Sequence, residues 1–305
     1  GGAGDDVFDG GGGFDRISHY DSSIASGVTV SLLLQGVAQD TGHGMDILTG
    51  IEALSGTPYD DVLIGDHDSN WLIAADGNDM LIGNGGDDLL EASDGQFGPP
   101  TSFVIDGGDG IDTAGFSGLL TNGVDVSLLL QGGAQDSGAG SATLSNIENL
   151  SGSRNDDVLT GDAGANVLSG HGGSDVIAGG EGDDSLYGDG ALVIDFPAGV
   201  GTSGPITFFS DVTTADPSLV AGNDTLEGGA GNDYIDGGGG VDTASYVNAL
   251  GPVDLNLGAG FADEYNADES AVLSTDTLVN IENATGSAFN DVLLGNGGNN
   301  LLSGL

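Results

Sequence analysis

A nine-residue phrase, Gly-Gly-x-Gly-x-Asp-x-U-x with U a large apolar residue, returns in phase along this chain and limits what it can fold into. It stands whole at Gly1–Asp9 and again at Gly10–Ser18. Further copies start at Gly56, Gly65, Ala74 and Gly83, at Gly107, and at Gly152, Gly161, Gly170 and Gly179. Gly188 opens one that loses its Asp. Leu219, Gly228 and Gly237 open three more, and Gly286 and Gly295 the last two. A sequence merely rich in Gly and Asp would drift out of phase. One such repeat cannot bury its own U, whereas a stack of them can, so the period predicts a solenoid.

The residue types suit that geometry. Glycine admits positive φ and lets carbonyl oxygens approach closely. The triplet x-U-x reads as a short strand with U turned inward and its neighbours outward. The U positions are Phe8, Ile17, Leu63, Leu72, Leu81, Leu90, Leu159, Leu168, Ile177, Leu186, Leu226, Ile235, Leu293 and Leu302. Stacked at about 4.8 Å per coil, they make an apolar column while the backbone pairs.

Between the ladders lies a longer unit in three copies, running from Ile17, Thr113 and Thr243 to the next ladder. The alternating segment Val28–Gln35 matches Val124–Gln131, and Val253–Leu257 is a looser third version. Alternation of this kind predicts half-buried strands. Each unit closes on one phrase: Ile51-Glu52-Ala53-Leu54-Ser55-Gly56, Ile147-Glu148-Asn149-Leu150-Ser151-Gly152 and Ile281-Glu282-Asn283-Ala284-Thr285-Gly286. We read these units as wider coils of the same solenoid. The expected organisation is three β segments, 1–91, 107–190 and 219–305, in one continuous solenoid, with insertions at 92–106 and 191–218. The first insertion holds Phe97, Pro99 and Pro100; the second holds Phe196, Pro197, Phe208 and Phe209. Such aromatics either cover the coil or touch a partner, and covering is the more ordinary role.

There are 48 acidic side chains against two basic ones, Arg16 and Arg154, for a formal charge of −46. All but eight of the acids are Asp, the short carboxylate favoured in turns, so the charge is expected in tight loops. That charge opposes compaction, and acidic chains low in aromatics are commonly disordered. Here 38% of the residues are apolar and in register, which favours a fold that depends on metal. Two Arg cannot supply the basic footprint that nucleic acid requires, and anionic membrane surfaces are disfavoured likewise. No apolar run approaches the roughly 20 residues of a membrane span, and no signal-peptide pattern opens the chain. With no Cys there are neither disulfides nor thiolate metal sites. The chain opens and closes inside repeats and is expected to be a monomeric segment of a longer protein.

Calcium fits the loops best. It accepts six to eight oxygens, carbonyl and carboxylate alike, at roughly 2.3–2.6 Å, whereas magnesium demands stricter geometry. Zinc would want nitrogen or sulfur ligands, and the four His show no paired spacing.

On these nonapeptides and wider units the chain resembles the RTX family of calcium-binding β-roll proteins exported by Gram-negative bacteria. The resemblance implies an all-β fold, a right-handed parallel β-roll with calcium bound in glycine-rich turns. It also implies two nonapeptides per coil, with each ion held between loops 18 residues apart. Carried over, this pairs Asp61 with Asp79, Asn70 with Asp88, Asp157 with Asp175, Asn166 with Asp184, and Asp224 with Asp242. Asp6, Asp15, Asp112, Asp233 and Asp291 are expected to bind where a wider coil completes the site. Asn70, Asn166 and Asn300 depart from the pattern, and a neutral amide implies weaker binding. Asp21, Asp40, Asp136, Asp254 and Asp268 lie outside the phrase and are expected in solvent.

No catalytic motif occurs: there is no Gly-x-Ser-x-Gly elbow, no His-Glu-x-x-His, and no Lys for a phosphate loop. The segment is therefore expected to be a non-catalytic calcium-binding module of a secreted or cell-surface protein that folds after export, by type I secretion if the resemblance holds. Two alternatives stand beside it. One is the repeat region of a secreted hydrolase or polysaccharide-modifying enzyme. The other is the spacer of an adhesin or surface layer, with a cell-surface or polysaccharide partner.

Overall fold

The computed structural model describes residues 4–19, 25–92, 101–118, 122–138, 140–190, 192–195, 207–210 and 221–305, with backbone alone at 101, 192–195 and 207–210. The nonapeptides form three-residue strands where x-U-x stands, as at Val62–Ile64, Trp71–Ile73, Val158–Thr160, Val167–Ser169 and Ser185–Tyr187. Each pairs in parallel with the strand two repeats on: Leu63 faces Leu81, and Leu72 faces Leu90. Nine residues thus carry the chain from one sheet to the other, and eighteen bring it back. Nearly all regular structure is β, and most pairing is parallel, as in a β-roll. Among the described residues the only helical turns are the 3-10 segments Leu32–Leu34 and Leu128–Leu130, and no helix is long and apolar enough to cross a membrane.

The chain divides into two compact units. One comprises Gly1–Asn122, Leu130–Asn149 and Ile194–Phe209; the other comprises Gly123–Leu129, Leu150–Val193 and Ser210–Leu305. In the first, one sheet runs Arg16–Ser18, Ala53–Ser55, Trp71–Ile73, Leu89–Glu91, Thr113–Gly115. A second runs Ala134–Asp136, Gly140–Ser145, Thr101–Asp109, Asp79–Gly85, Val62–Ile64, Thr29–Ser31. A small third sheet joins Val7–Asp9, Met45–Thr49 and Ala38–Asp40. In the second unit, one sheet runs Asn149–Ser151, Val167–Ser169, Ser185–Tyr187, Tyr234–Asp236, Val272–Val279, Phe261–Tyr265, Val253–Asn256, Val292–Leu294. The other runs Asp125–Ser127, Val158–Thr160, Val176–Glu181, Thr225–Ala230, Thr243–Ser245, Asn283–Thr285, Leu302–Ser303.

The U column is the core. Leu63, Leu72, Leu81, Leu90, Leu159, Leu168, Ile177, Leu186, Leu226 and Ile235 are all buried. Phe8, Ile17 and Leu293 are half-buried and Leu302 is exposed, because each lies on a strand at the end of its sheet, with a coil on one side only.

The wider units depart from plain coils. The expected strand over Val28–Gln35 stops at Ser31, and Leu32–Leu34 tighten into a 3-10 turn that buries Leu32 and leaves Leu33 and Leu34 exposed. Each unit then adds an antiparallel pairing. Ala38–Asp40 pairs with Met45–Thr49, and Ala134–Asp136 with Gly140–Ser145. In the third copy Phe261–Tyr265 pairs with both Val253–Asn256 and Val272–Val279.

The insertions also differ from expectation. The first yields to regular structure at Thr101: Phe103 pairs with Asp79 and Ile105 with Leu81, and both Phe103 and Ile105 are core residues. Phe97, Pro99 and Pro100 lie outside the described residues, as do Phe196 and Pro197. The second insertion contains a two-stranded sheet of Leu192–Asp195 and Thr207–Ser210, which carries Phe208 and Phe209. It interrupts a nonapeptide instead of separating two. A side chain at Gly188 would collide with Asp224 Oδ2, just as one at Gly179 would collide with Asp184 Oδ2. The repeat that seemed to lose its Asp recovers it at Asp224, and Ile177 pairs with Leu226 in unbroken register.

Leu186 stacks between Leu168 and Ile235 and is fully buried. Leu186→Ala is expected to cost about 2–5 kcal/mol, the range for a buried Leu truncation, in urea unfolding at saturating calcium. Leu302→Ala, at an exposed position, should cost less than about 0.5 kcal/mol.

Candidate metal sites in the glycine loops

One contact repeats along the loop edges. The backbone N–H of an in-phase Asp or Asn donates to Oδ1 of the in-phase Asp one coil on. In the first unit Asp61 donates to Asp79 at 2.8 Å, Asn70 to Asp88 at 2.7 Å and Asp88 to Asp112 at 2.8 Å. In the second unit one row runs from Asp157 to Asp175 (2.8 Å), Asp224 (2.8 Å) and Asp242 (2.9 Å). A parallel row runs from Asn166 to Asp184 (2.8 Å) and Asp233 (2.9 Å). All five pairs carried over from the resemblance are thus adjacent.

The wider units continue these rows with carboxylates that lie outside the nonapeptides. Asp112 N–H donates to Glu148 Oε2 at 2.8 Å, Asp242 to Glu282 Oε2 at 3.0 Å and Asp15 to Glu52 Oε2 at 2.8 Å. Asp6 donates to Asp46 Oδ1 at 2.8 Å and Asp233 to Asp276 Oδ1 at 3.1 Å. Sequence reasoning missed these five residues. The signal was present in the closing phrase Ile-Glu-(Ala/Asn), where Glu recurs in a chain that otherwise prefers Asp. The second wider unit has Ala142 where the other two wider units have Asp46 and Asp276. Its neighbour there is Phe103 and not an Asp, so an apolar pair replaces the polar one.

The loops hold the carboxylates tightly. Gly179 packs against both Asp184 Oδ2 and the Gly228 carbonyl oxygen, leaving no room for a Cβ. Gly173 combines φ of 110° with close approach to the Asn155 backbone, a conformation and a space that only glycine fits.

With Oδ1 taken by an amide, the other oxygen decides what each carboxylate can do. Oδ2 is buried with no hydrogen-bond donor at Asp79, Asp88, Asp112, Asp175, Asp184, Asp224, Asp233, Asp242 and Asp291. Burial, helped by neighbouring carboxylates, pushes Asp79, Asp88 and Asp175 up to about 8, and Asp112, Asp184, Asp224 and Asp242 up to about 7. A buried anion wants a counter-charge, and the chain, with two Arg and no Lys, cannot provide it. Among the described residues no group of three or more His, Cys, Asp or Glu gathers as a metal cluster. The remaining ligands of an ion at Oδ2 would therefore be backbone carbonyls such as that of Gly228. That mixture of oxygens suits a hard cation of flexible coordination, and calcium fits it.

The other expected ligands are placed differently. Asp61 and Asp157 open their ladders beside Thr57 and Ser153, which stand at the second repeat position in place of Gly. Thr57 donates its N–H to Asp61 Oδ2 (2.6 Å) and its hydroxyl to Oδ1 (2.8 Å); Ser153 does the same for Asp157 (2.5 and 2.8 Å). Both carboxylates are satisfied by the protein. Asn70 and Asn166 turn their amide oxygens to the N–H of Asp66 (2.7 Å) and Asp162 (2.8 Å) in their own loops. Asn300 does likewise toward Asn296, at 2.9 Å. Asp291 accepts from Ser287 Oγ (2.6 Å) and Val253 N–H (3.0 Å) through Oδ1 alone. Asp6 and Asp15 are half-buried.

Comparison with known proteins agrees with this geometry. The profile of the RTX calcium-binding nonapeptide repeat (four copies) matches residues 1–17, 47–81, 55–90, 68–96, 145–177, 169–191, 220–244 and 281–305, together more than half of the chain. No curated protein matches it significantly. The repeats of this family bind Ca2+ and are structural, not catalytic. The phased loops, their stacked carboxylates and the profile match give one conclusion: this chain belongs to the RTX calcium-binding nonapeptide repeat family.

Proposed function

We propose that this chain is the calcium-folded module of a secreted or cell-surface bacterial protein, non-catalytic in itself, and that it orders only when the ion is supplied outside the cell. The observation that carries this reading is the set of buried Oδ2 atoms without donors, repeated coil after coil. The nine Asp residues that own them are the proposed principal ligands. Glu148, Glu282, Glu52, Asp46 and Asp276 close the rows, and Asp61, Asp157 and the three Asn residues hold the loops in shape. Asp6 and Asp15 are proposed as outer ligands with Asp46 and Glu52 as partners. Bound calcium supplies the positive charge and oxygen coordination that these edges lack.

The energetics fit export. At low calcium, stacked unpaired carboxylates and a charge of −46 oppose coiling. Extracellular modules hold calcium at roughly 10⁻⁴–10⁻³ M, and each filled site stabilises the fold by RT ln(1 + [L]/Kd), about 2.7 kcal/mol at a hundredfold excess. The same rows fix the pH dependence. Carboxyls raised to about 7–8 in the folded chain bind protons more tightly folded than unfolded. Without calcium, their protonation supports the fold fully below the unfolded value of about 4, and this support is lost as pH rises through about 7–8.

Two outcomes are expected. Asp224→Ala, in the middle of a row, should move the calcium midpoint of the far-UV circular dichroism transition several-fold upward. Asp40→Asn, at the exposed end of the strand Ala38–Asp40, should leave it in place; equal midpoints would overturn the ligand assignment. In chelator, β signal should rise as pH falls from 8 to 5. In calcium, the midpoint should climb over the same range as protons compete for Oδ2, and a midpoint indifferent to pH would contradict the reading.

A further inference from the structure

The third wider unit contains a carboxylate that the calcium edges do not use. On the strand Phe261–Tyr265 residues alternate inward and outward, and Ala262 and Glu264 face in. Glu264 pairs across to Val253 and Ser274, both buried, and is itself 8% exposed. Among the described residues no hydrogen bond reaches its side chain. The equivalent positions of the first two wider units are Thr41 and Ser137, in Ala-Gln-Asp-Thr and Ala-Gln-Asp-Ser against Phe-Ala-Asp-Glu here. In the first unit the Thr41 hydroxyl bonds Asp46 Oδ2. In the third, Tyr246 takes over that task, its hydroxyl bonding Asp276 Oδ2 at 2.8 Å. Glu264 is thus a buried acid at a position where its counterparts carry hydroxyls, and the row beside it is complete without it.

Glu264 lines a cavity of about 390 Å³, the size of a small-ligand site. Two further carboxylates line it, Glu181 and Glu227. Glu227 is fixed by Asn248, which donates its N–H (3.2 Å) and its side-chain amide (3.1 Å). Ser245, Asn248 and Ser274 add polar groups to the wall, and its apolar part is formed by the buried Tyr246 ring with Leu250 and Leu273, among the most exposed leucines of the described residues, at the rim. Burial, then the Asp276, Asp233 and Glu227 carboxylates, push Glu264 up to about 8, as expected of an acid lacking its counter-charge. A hard dication is a poor fit. Both oxygens of Asp276 already accept hydrogen bonds, and Glu227 is held by Asn248. An ammonium group on an alkyl body satisfies both halves of the site, its N–H donors meeting the acids and its methylenes the leucine rim. The chain contains no Lys, so that group comes from outside.

We propose that this cavity binds a primary alkylammonium group, with Glu264 as its buried counter-ion.

The test is calorimetry on the full, calcium-saturated chain in about 0.15 M salt, where non-specific attraction to the acidic surface is screened. The probes are n-butylammonium, Nα-acetyl-lysine amide and, as the uncharged control, 1-butanol. One saturable site is expected for the ammonium compounds and none for butanol. Binding by acetyl-lysine amide assigns the amine to a peptide side chain; binding by butylammonium alone assigns it to a free amine. Glu264→Gln should weaken binding at least tenfold, whereas Glu269→Gln, an equal charge change on the exposed surface, should not alter it. Leu250→Lys, which places a tethered ammonium at the rim without touching the core, should block the site. Calcium-dependent circular dichroism of each variant verifies folding. Equal affinity in wild type and Glu264→Gln, absence of binding, or displacement of the amine by added calcium in one-for-one exchange would each overturn the proposal.

Discussion

The structure depends on a hydrogen bond that uses half of a carboxylate. Nine in-phase Asp residues, Asp175 and Asp224 among them, give Oδ1 to an amide of the preceding coil and keep Oδ2 buried without a donor. The first half sets the spacing of the loops. The second half makes that spacing unfavourable until a cation arrives. In an ordinary solenoid, hydrophobic stacking alone would settle the matter. Here the column of U residues is one residue in nine, and it has to hold together acids that repel each other in a poorly solvated edge.

The same bond explains how the chain tolerates interruption. Asp224 stands 49 positions after Asp175 where a regular coil would place it 18 on, yet the amide-to-carboxylate contact is 2.8 Å, as elsewhere. Loop length costs little entropy once the ends are fixed. Register is therefore kept by the two ends, Gly188 packed on Asp224 and Ile177 paired with Leu226, and not by the intervening sequence. Where the next coil offers no Asp, as at Phe103, the row stops and its partner, Ala142, is apolar too.

Much of this was legible in the residues. Phase located the strands and the U column, because a short exact period leaves little freedom in the stack, while the pairing of Asp61 with Asp79 or Asn166 with Asp184 followed from the resemblance and its two nonapeptides per coil. What period could not show was local. The hydroxyls of Thr57 and Ser153 satisfy Asp61 and Asp157, which look identical to their ion-ready neighbours in the repeat. The Glu of the closing phrase joins the rows through a side chain one methylene longer, from a segment without nonapeptide spacing. The split repeat at Gly188 was hidden because its two halves stand far apart in sequence. Glu264 was hidden because only the pairing of the third wider unit places it beside a cavity.

The most direct test of the central claim is amide hydrogen exchange along the loop edges, compared at one pH between calcium and chelator. The account predicts that the amides of Asp88, Asp175, Asp184 and Asp224, which bond the next carboxylate in line, are strongly protected in calcium and exchange near the unfolded rate in chelator. Protection of those amides that is the same in both conditions would show that the coils stand without the ion and would contradict the account.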